Sequence, residues 1–179
     1  SEGWPKAIGW DKYFIGTGDQ FCHDMILADV NMDGQNDILT TSGKKAGEGV
    51  CWYEPGPDPL KPWTKHEIGG PDYFIHAGIA PMGVGDLDGD GDQDVAAAEA
   101  WFENRDGKGL TWTMHHHGLI GQEGPWGRGV KTHVFDLDGD GDMDIVQGEC
   151  DLRDKKAGLG WLENVDGKGR FRVHWLMHR

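Results

Sequence analysis

The sequence predicts an all-β chain, a segment of a β-propeller with four-stranded blades, on three observations. An acidic loop is written three times: Asp29-Val30-Asn31-Met32-Asp33-Gly34-Gln35-Asn36-Asp37, Asp86-Leu87-Asp88-Gly89-Asp90-Gly91-Asp92-Gln93-Asp94 and Asp136-Leu137-Asp138-Gly139-Asp140-Gly141-Asp142-Met143-Asp144. A short aromatic segment, a turn and a last segment ending in His follow each loop. Successive loops begin 57 and then 50 residues apart, room for four short strands with no helical periodicity, the pattern of a propeller blade.

Within each unit the first strand precedes the loop and the second follows it. Ile38-Leu39-Thr40-Thr41, Val95-Ala96-Ala97-Ala98 and Ile145-Val146-Gln147-Gly148 are short runs, two of them rich in β-branched residues, and read as strands. The third strand is Cys51-Trp52-Tyr53-Glu54, then Ala100-Trp101-Phe102-Glu103-Asn104, then Gly160-Trp161-Leu162-Glu163-Asn164. Asp106-Gly107 and Asp166-Gly167 follow and read as tight hairpins, with both turn residues at positive φ. The first unit carries instead what reads as a longer, Pro-rich turn, Pro55-Gly56-Pro57-Asp58-Pro59. The fourth strand is Trp63-Thr64-Lys65-His66, Trp112-Thr113-Met114-His115 and Phe171-Arg172-Val173-His174. Residues 9–16 resemble the fourth-strand segment 62–69, which predicts an extra N-terminal strand. The expected blades span 20–69, 73–117 and 127–179, within one domain by length. Three blades leave two open edges, so the chain is expected either to belong to a larger propeller or to complete a ring with copies of itself.

Oxygen side chains at loop positions 1, 3, 5 and 9, with Gly at 6, suit a hard cation, Ca²⁺ above all. The candidate ligands are Asp29, Asn31, Asp33 and Asp37; Asp86, Asp88, Asp90 and Asp94; and Asp136, Asp138, Asp140 and Asp144, about three ions in all. Position 7 would add the backbone carbonyls of Gln35, Asp92 and Asp142. An EF-hand needs a carboxylate at position 12 and a helix after it. Here position 12 is Thr40, Ala97 and Gln147, and a strand follows.

The formal charge is −14, from 31 acidic and 17 basic residues. The loops hold many of those carboxylates, so much of the acidity is metal chemistry. No basic patch exists to follow a nucleic-acid backbone. No apolar run approaches the ~18 residues of a membrane span. Cys22, Cys51 and Cys150 have no CxxC spacing; one disulfide or three buried thiols fit equally. Open Ca²⁺ loops suit millimolar external calcium, and Ser1 starts the chain without Met or a signal peptide, as in a mature or excised product. A secreted, extracellular or periplasmic location is therefore expected.

These loops, repeated together with Trp-x-Glu-Asn, resemble the FG-GAP/VCBS repeat family over residues 20–179. That resemblance implies a calcium-stabilised β-propeller, and it admits adhesins, lectins and some carbohydrate lyases or dehydratases. Asn31 at position 3 departs from the pattern; it removes a charge and keeps a ligand oxygen.

Recurrence of Trp52, Trp101 and Trp161 at one place in the unit predicts packing between blades. Trp126, in the glycine-rich segment 121–129, is a candidate for stacking on a sugar or for folding back on the ring. His66, His115 and His174 read as solvent-facing edge residues, and His116 and His117 as exposed. His23, His76, His133 and Lys131 lie in or beside the innermost strands. They are candidates for a transition-metal site or for proton transfer in a sugar elimination, structural hydrogen bonding being the alternative. Three functions follow: a non-catalytic binder of carbohydrate or protein, a carbohydrate lyase or dehydratase, or a structural part of a larger protein.

Overall fold

In the computed structural model, residues 11–16, 23–41, 49–70, 78–117, 130–149 and 158–177 are described. These contain thirteen strands and no helix. β1 (Met25–Ala28), β2 (Asp37–Thr41), β3 (Val50–Glu54) and β4 (Thr64–Gly69) form the first sheet in that order. β5 (Pro81–Met82) is followed by the second sheet, β6 (Val84–Gly85), β7 (Asp94–Ala96), β8 (Ala100–Asn104) and β9 (Trp112–His116). The third is β10 (Val130–Phe135), β11 (Asp144–Glu149), β12 (Leu159–Asn164) and β13 (Phe171–Met177). All pairings within these meanders are antiparallel. The all-β, propeller-like fold is as the sequence predicts, and each acidic loop joins two strands, so the EF-hand alternative is gone. The described residues form no closed barrel.

The sheets stack in chain order, and the stacking makes the core. Leu39, Val50 and Trp52 of the first sheet meet Val95, Ala97, Ala100 and Phe102 of the second. Ala96, Ala98 and Trp101 turn the other way, toward Val134, Ile145 and Leu162 of the third. Alternation along β8 therefore serves two interfaces at once, and all five of its residues are buried. The first strands lie along one common side. β5 pairs in parallel with β10, Thr132 opposite Pro81 and His133 opposite Met82, so the segment entering the second sheet bridges to the third. Gly83 makes this possible. A Cβ there would lie 2.6 Å from the carbonyl oxygens of both Ile79 and Ala96.

Three expectations need correction. Residues 11–16 form no strand; that segment touches the first sheet through Trp63 N–H, which donates to Ile15 O at 2.6 Å. The Pro-rich turn is not longer than its counterpart, since Glu54 pairs with Thr64 and Glu103 with Thr113. Nor are the Asp-Gly segments two-residue hairpins. The loops run from Asn104 to Trp112 and from Asn164 to Phe171. In them the Asp side chain accepts backbone N–H groups, Asp106 Oδ1 from Lys108 at 3.0 Å and Leu110 at 3.3 Å. Positive φ falls on glycines only, Gly107 and Gly109, Gly167 and Gly169.

Candidate metal loops and the inner-strand cluster

Each acidic loop folds around its own carboxylates. Asp86 Oδ1 accepts Gly89 N–H at 2.7 Å and its Oδ2 accepts Gly91 N–H at 3.0 Å; Asp136 repeats this with Gly139 at 2.6 Å and Gly141 at 3.0 Å. In the first loop Asp29 holds the N–H groups of Asp33 and Gly34, both at 2.9 Å. Gly34, Gly91 and Gly141, at position 6, have φ of 87°, 94° and 101°, where only glycine is unstrained. Position 9 is buried and links the loop to the third strand. Asp94 accepts Leu87 N–H at 2.8 Å and Asn104 N–H at 2.9 Å; Asp144 accepts Leu137 N–H at 3.1 Å and Asn164 N–H at 2.8 Å. Asp37 accepts Val30 N–H at 2.9 Å. The residue matching Asn104 is Pro55, which has no N–H to give, and Asp37 Oδ1 is buried without a partner.

Positions 1, 3 and 9 converge. Carboxylate oxygens of Asp86, Asp88 and Asp94 lie within 4.8 Å of one another, as do those of Asp136, Asp138 and Asp144, and each trio could hold a metal ion. In the first loop Asn31 stands at position 3, its Oδ1 accepting Asp33 N–H at 3.1 Å. Position 5 is exposed; Asp90 and Asp140 each accept the N–H of position 7, at 3.1 and 3.0 Å. Position 7 packs against its own sheet's turn, Asp92 beside Gly107 and Asp142 beside Gly167.

The electrostatics fit a cation. Burial, with backbone hydrogen bonds opposing and neighbouring aspartates adding, pushes Asp94 up to about 8. Burial and then Asp90 and Asp88 push Asp92 up to about 7, and burial first raises Asp37 to about 6. Asp88, Asp138 and Asp142 are raised by the same two causes. Crowded, desolvated carboxylates resist ionisation until an opposite charge joins them. Asp37 Oδ1 and Asp92 Oδ1 are buried without a hydrogen-bond partner. Oxygen-only donors match a hard cation rather than a soft one.

Of the inner-strand candidates, two come together. Lys131 Nζ on β10 reaches Asp24 Oδ1 at 3.0 Å, and His23 Nδ1 lies 3.1 Å from the same oxygen. Asp24 is buried and tied to β2, its N–H donating to Thr41 Oγ1 at 3.2 Å and its carbonyl accepting from Thr40 Oγ1 at 2.7 Å. His133 stands edge-on to Phe135 with ring centroids 5.1 Å apart. His76, Trp126, Cys22 and Cys150 lie outside the described residues; Cys51 is buried on β3. A cleft of about 460 Å³ opens beside β1, lined by Ile26, Leu27, Met32, Pro81, Met82 and Val84. Exposed apolar side chains stand on the strands beside it, Met25 and Leu27 on β1 and Met82 on β5.

The histidines of the fourth strands are only partly solvent-facing, and they lie within β4, β9 and β13 rather than at their ends. His66, His115 and His174 stack on Trp52, Trp101 and Trp161, centroids 4.3, 4.5 and 4.5 Å apart. Their Nε2 atoms lie 2.8, 2.7 and 2.6 Å from Glu54, Glu103 and Glu163. The reason is register: each His sits directly opposite its Trp, and Glu, two residues along, shares that face. His117 is also not exposed. It donates from Nε2 to Ala97 O at 3.0 Å, and burial lowers its pKa to about 4.

Burial acts to raise Glu103, but hydrogen bonds from His115 and Arg105 outweigh it and hold the carboxyl below its usual range. The sign follows: a depressed carboxylate adds stability above its unfolded pKa near ~4.3 and loses it as pH falls through the folded value. Glu103→Gln should therefore cost stability at pH 6 and progressively less toward pH 3, read from urea midpoints of both proteins. A deficit that does not shrink on acidification would show that the charge contributes nothing.

The profile of the family described as FG-GAP-like repeat matches this chain over residues 29–97 and 86–146, more than half its length. No curated protein and no solved structure matches it.

Proposed function

Because the chain belongs to the FG-GAP-like repeat family, we propose that it is a calcium-stabilised propeller module acting outside the cytosol. In this reading it is a non-catalytic binder of carbohydrate or of another protein. The observation that carries it is the double use of one buried aspartate in each of the second and third loops. Asp94 and Asp144 each bind two backbone N–H groups and each joins a converging carboxylate trio. Ca²⁺ would be held by positions 1, 3 and 9 of each loop, with Asn31 replacing one carboxylate in the first. Its chemistry here is charge neutralisation: the ion offsets the burial, and after it the repulsion between aspartates, that raise Asp92 and Asp94, so the loop keeps its shape. The rigid loops fix the first strands, and these line the apolar cleft, whose surface suits an apolar side chain or the non-polar face of a sugar ring.

A second reading, a carbohydrate lyase or dehydratase, draws on the convergence of His23 and Lys131 on Asp24. Glycan and protein arrays probed with the calcium-loaded chain separate the two. Retention of a ligand class without chemical change, lost when Met82→Glu places a charge in the cleft, supports the binder. Release of an unsaturated sugar, abolished by Lys131→Ala, would replace the first reading with the second.

A further inference from the structure

Position 9 ties the second and third loops to their third strands, through the N–H groups of Asn104 and Asn164. The side chains of those asparagines also reach the preceding sheet, Nδ2 donating to Val30 O at 3.5 Å and to Leu87 O at 2.8 Å. Pro55 stands at that place in the first sheet and has no N–H to give. The glutamates one residue earlier differ in step. Glu103 is met by Arg105, and Glu163 by Arg172 Nη1 at 3.3 Å. The residue matching Arg105 in the first sheet is Gly56. Glu54 instead accepts from Asn31 Nδ2 through Oε1, at 3.4 Å, so the first loop meets its third strand through position 3.

An amide at position 3 suits that contact. Burial and then Asp90 raise the counterpart Asp88, and the like charge of Glu103 adds to the rise; at Asn31 the same approach of a glutamate becomes a hydrogen bond. Asn31 is fixed from both ends. Its Oδ1 accepts Asp33 N–H at 3.1 Å, and Asp29 Oδ1 shares that N–H at 2.9 Å, which sets the amide oxygen beside the carboxylate of position 1. A backbone N–H only donates and an ionised carboxylate only accepts, so a reversed amide would lose both bonds. His66, stacked on Trp52, lies 2.8 Å from Glu54 Oε2 and leaves Oε1 to Asn31.

We propose that Glu54 is a positioning residue of the first metal loop: it holds the Asn31 amide so that Oδ1, and not Nδ2, is presented to the cation. This role rests on the loops being Ca²⁺ sites, as proposed above, and adds to them a residue that lies outside the loop.

Calcium titrations of the full isotope-labelled chain test it by nuclear magnetic resonance. The reporters are the backbone amides of Gly34, Gly91 and Gly141, each of which donates to the aspartate at position 1 of its loop. Glu54→Ala should weaken binding at Gly34 about tenfold, the low end of the range for losing an outer partner of a metal ligand. The midpoints at Gly91 and Gly141 should stay unchanged, and their signals show in the same spectra that the variant is folded. Glu54→Gln keeps an acceptor oxygen for the amide and should recover most of the loss. Glu163→Ala removes the matching histidine contact where position 3 is Asp138, and should leave Gly141 unmoved. An unchanged Gly34 midpoint in Glu54→Ala would overturn the proposal, as would equal weakening by Gln and Ala, or a matching loss at Gly141 in Glu163→Ala. If none of the three glycines of the parent chain responds to Ca²⁺, the calcium reading falls and the proposal with it; if Gly91 and Gly141 respond and Gly34 does not, the proposal falls alone.

Discussion

Asp94→Ala will lower the unfolding free energy by about 2–6 kcal/mol, the cost of stranding two buried N–H groups at ~1–3 kcal/mol each. The donors are Leu87 N–H, inside the loop, and Asn104 N–H, at the end of β8. Asn104 in turn reaches Val30 of the first sheet, so the damage crosses an interface. Asp37→Ala is the informative comparison. Asp37 is equally buried, but Pro55 leaves it with Val30 N–H as its backbone donor, so its loss strands one group instead of two. Urea denaturation in chelator, which removes the metal contribution from both variants, should rank Asp94→Ala as the costlier. Equal losses would mean that position 9 acts through its charge and not as a hydrogen-bond hub.

Trp52→Ala will cost about 3–5 kcal/mol, the range for deleting a large buried aromatic. Its indole is 0% exposed, stacks on His66 and donates to Gly109 O. Truncation opens a cavity between two sheets and leaves that carbonyl to Trp112, which also donates to it, at 2.8 Å. Trp161→Ala should cost clearly less, since Trp161 stacks on His174 as Trp52 does on His66, but its Nε1 has no hydrogen-bond partner among the described residues. Matching losses at Trp52 and Trp161 in urea midpoints would show that the stack on His, rather than the contact between sheets, carries the energy.

Much of the architecture was legible because its signals are local. The Asp-x-Asp loops, the β-branched runs after them and the recurring Trp each depend on a few adjacent residues, and together they predicted the four-stranded sheets. Packing of Trp52 and Trp101 between blades was legible from recurrence alone. What was missed depends on register. That His115 faces Trp101 and Glu103 follows from which residue of β9 stands opposite which residue of β8, and a hairpin misread as a tight Asp-Gly turn hides this. The role of Asn104 and Asn164 was hidden for a different reason. Each amide works on the preceding sheet, tens of residues away in sequence. Pairing of Lys131 with Asp24 spans 107 positions and had no local trace at all; the resemblance between blades said that first strands neighbour one another, but not which side chains meet.

The account stands on divalent ions completing the aspartate loops, and thermal unfolding in calcium against excess EGTA tests this most directly. At calcium one hundred times the dissociation constant, each occupied site adds about 2.7 kcal/mol, so chelation should lower the melting temperature substantially and re-addition of Ca²⁺ should restore it. Coincident melting curves with and without EGTA, on protein confirmed calcium-free by elemental analysis, would contradict it.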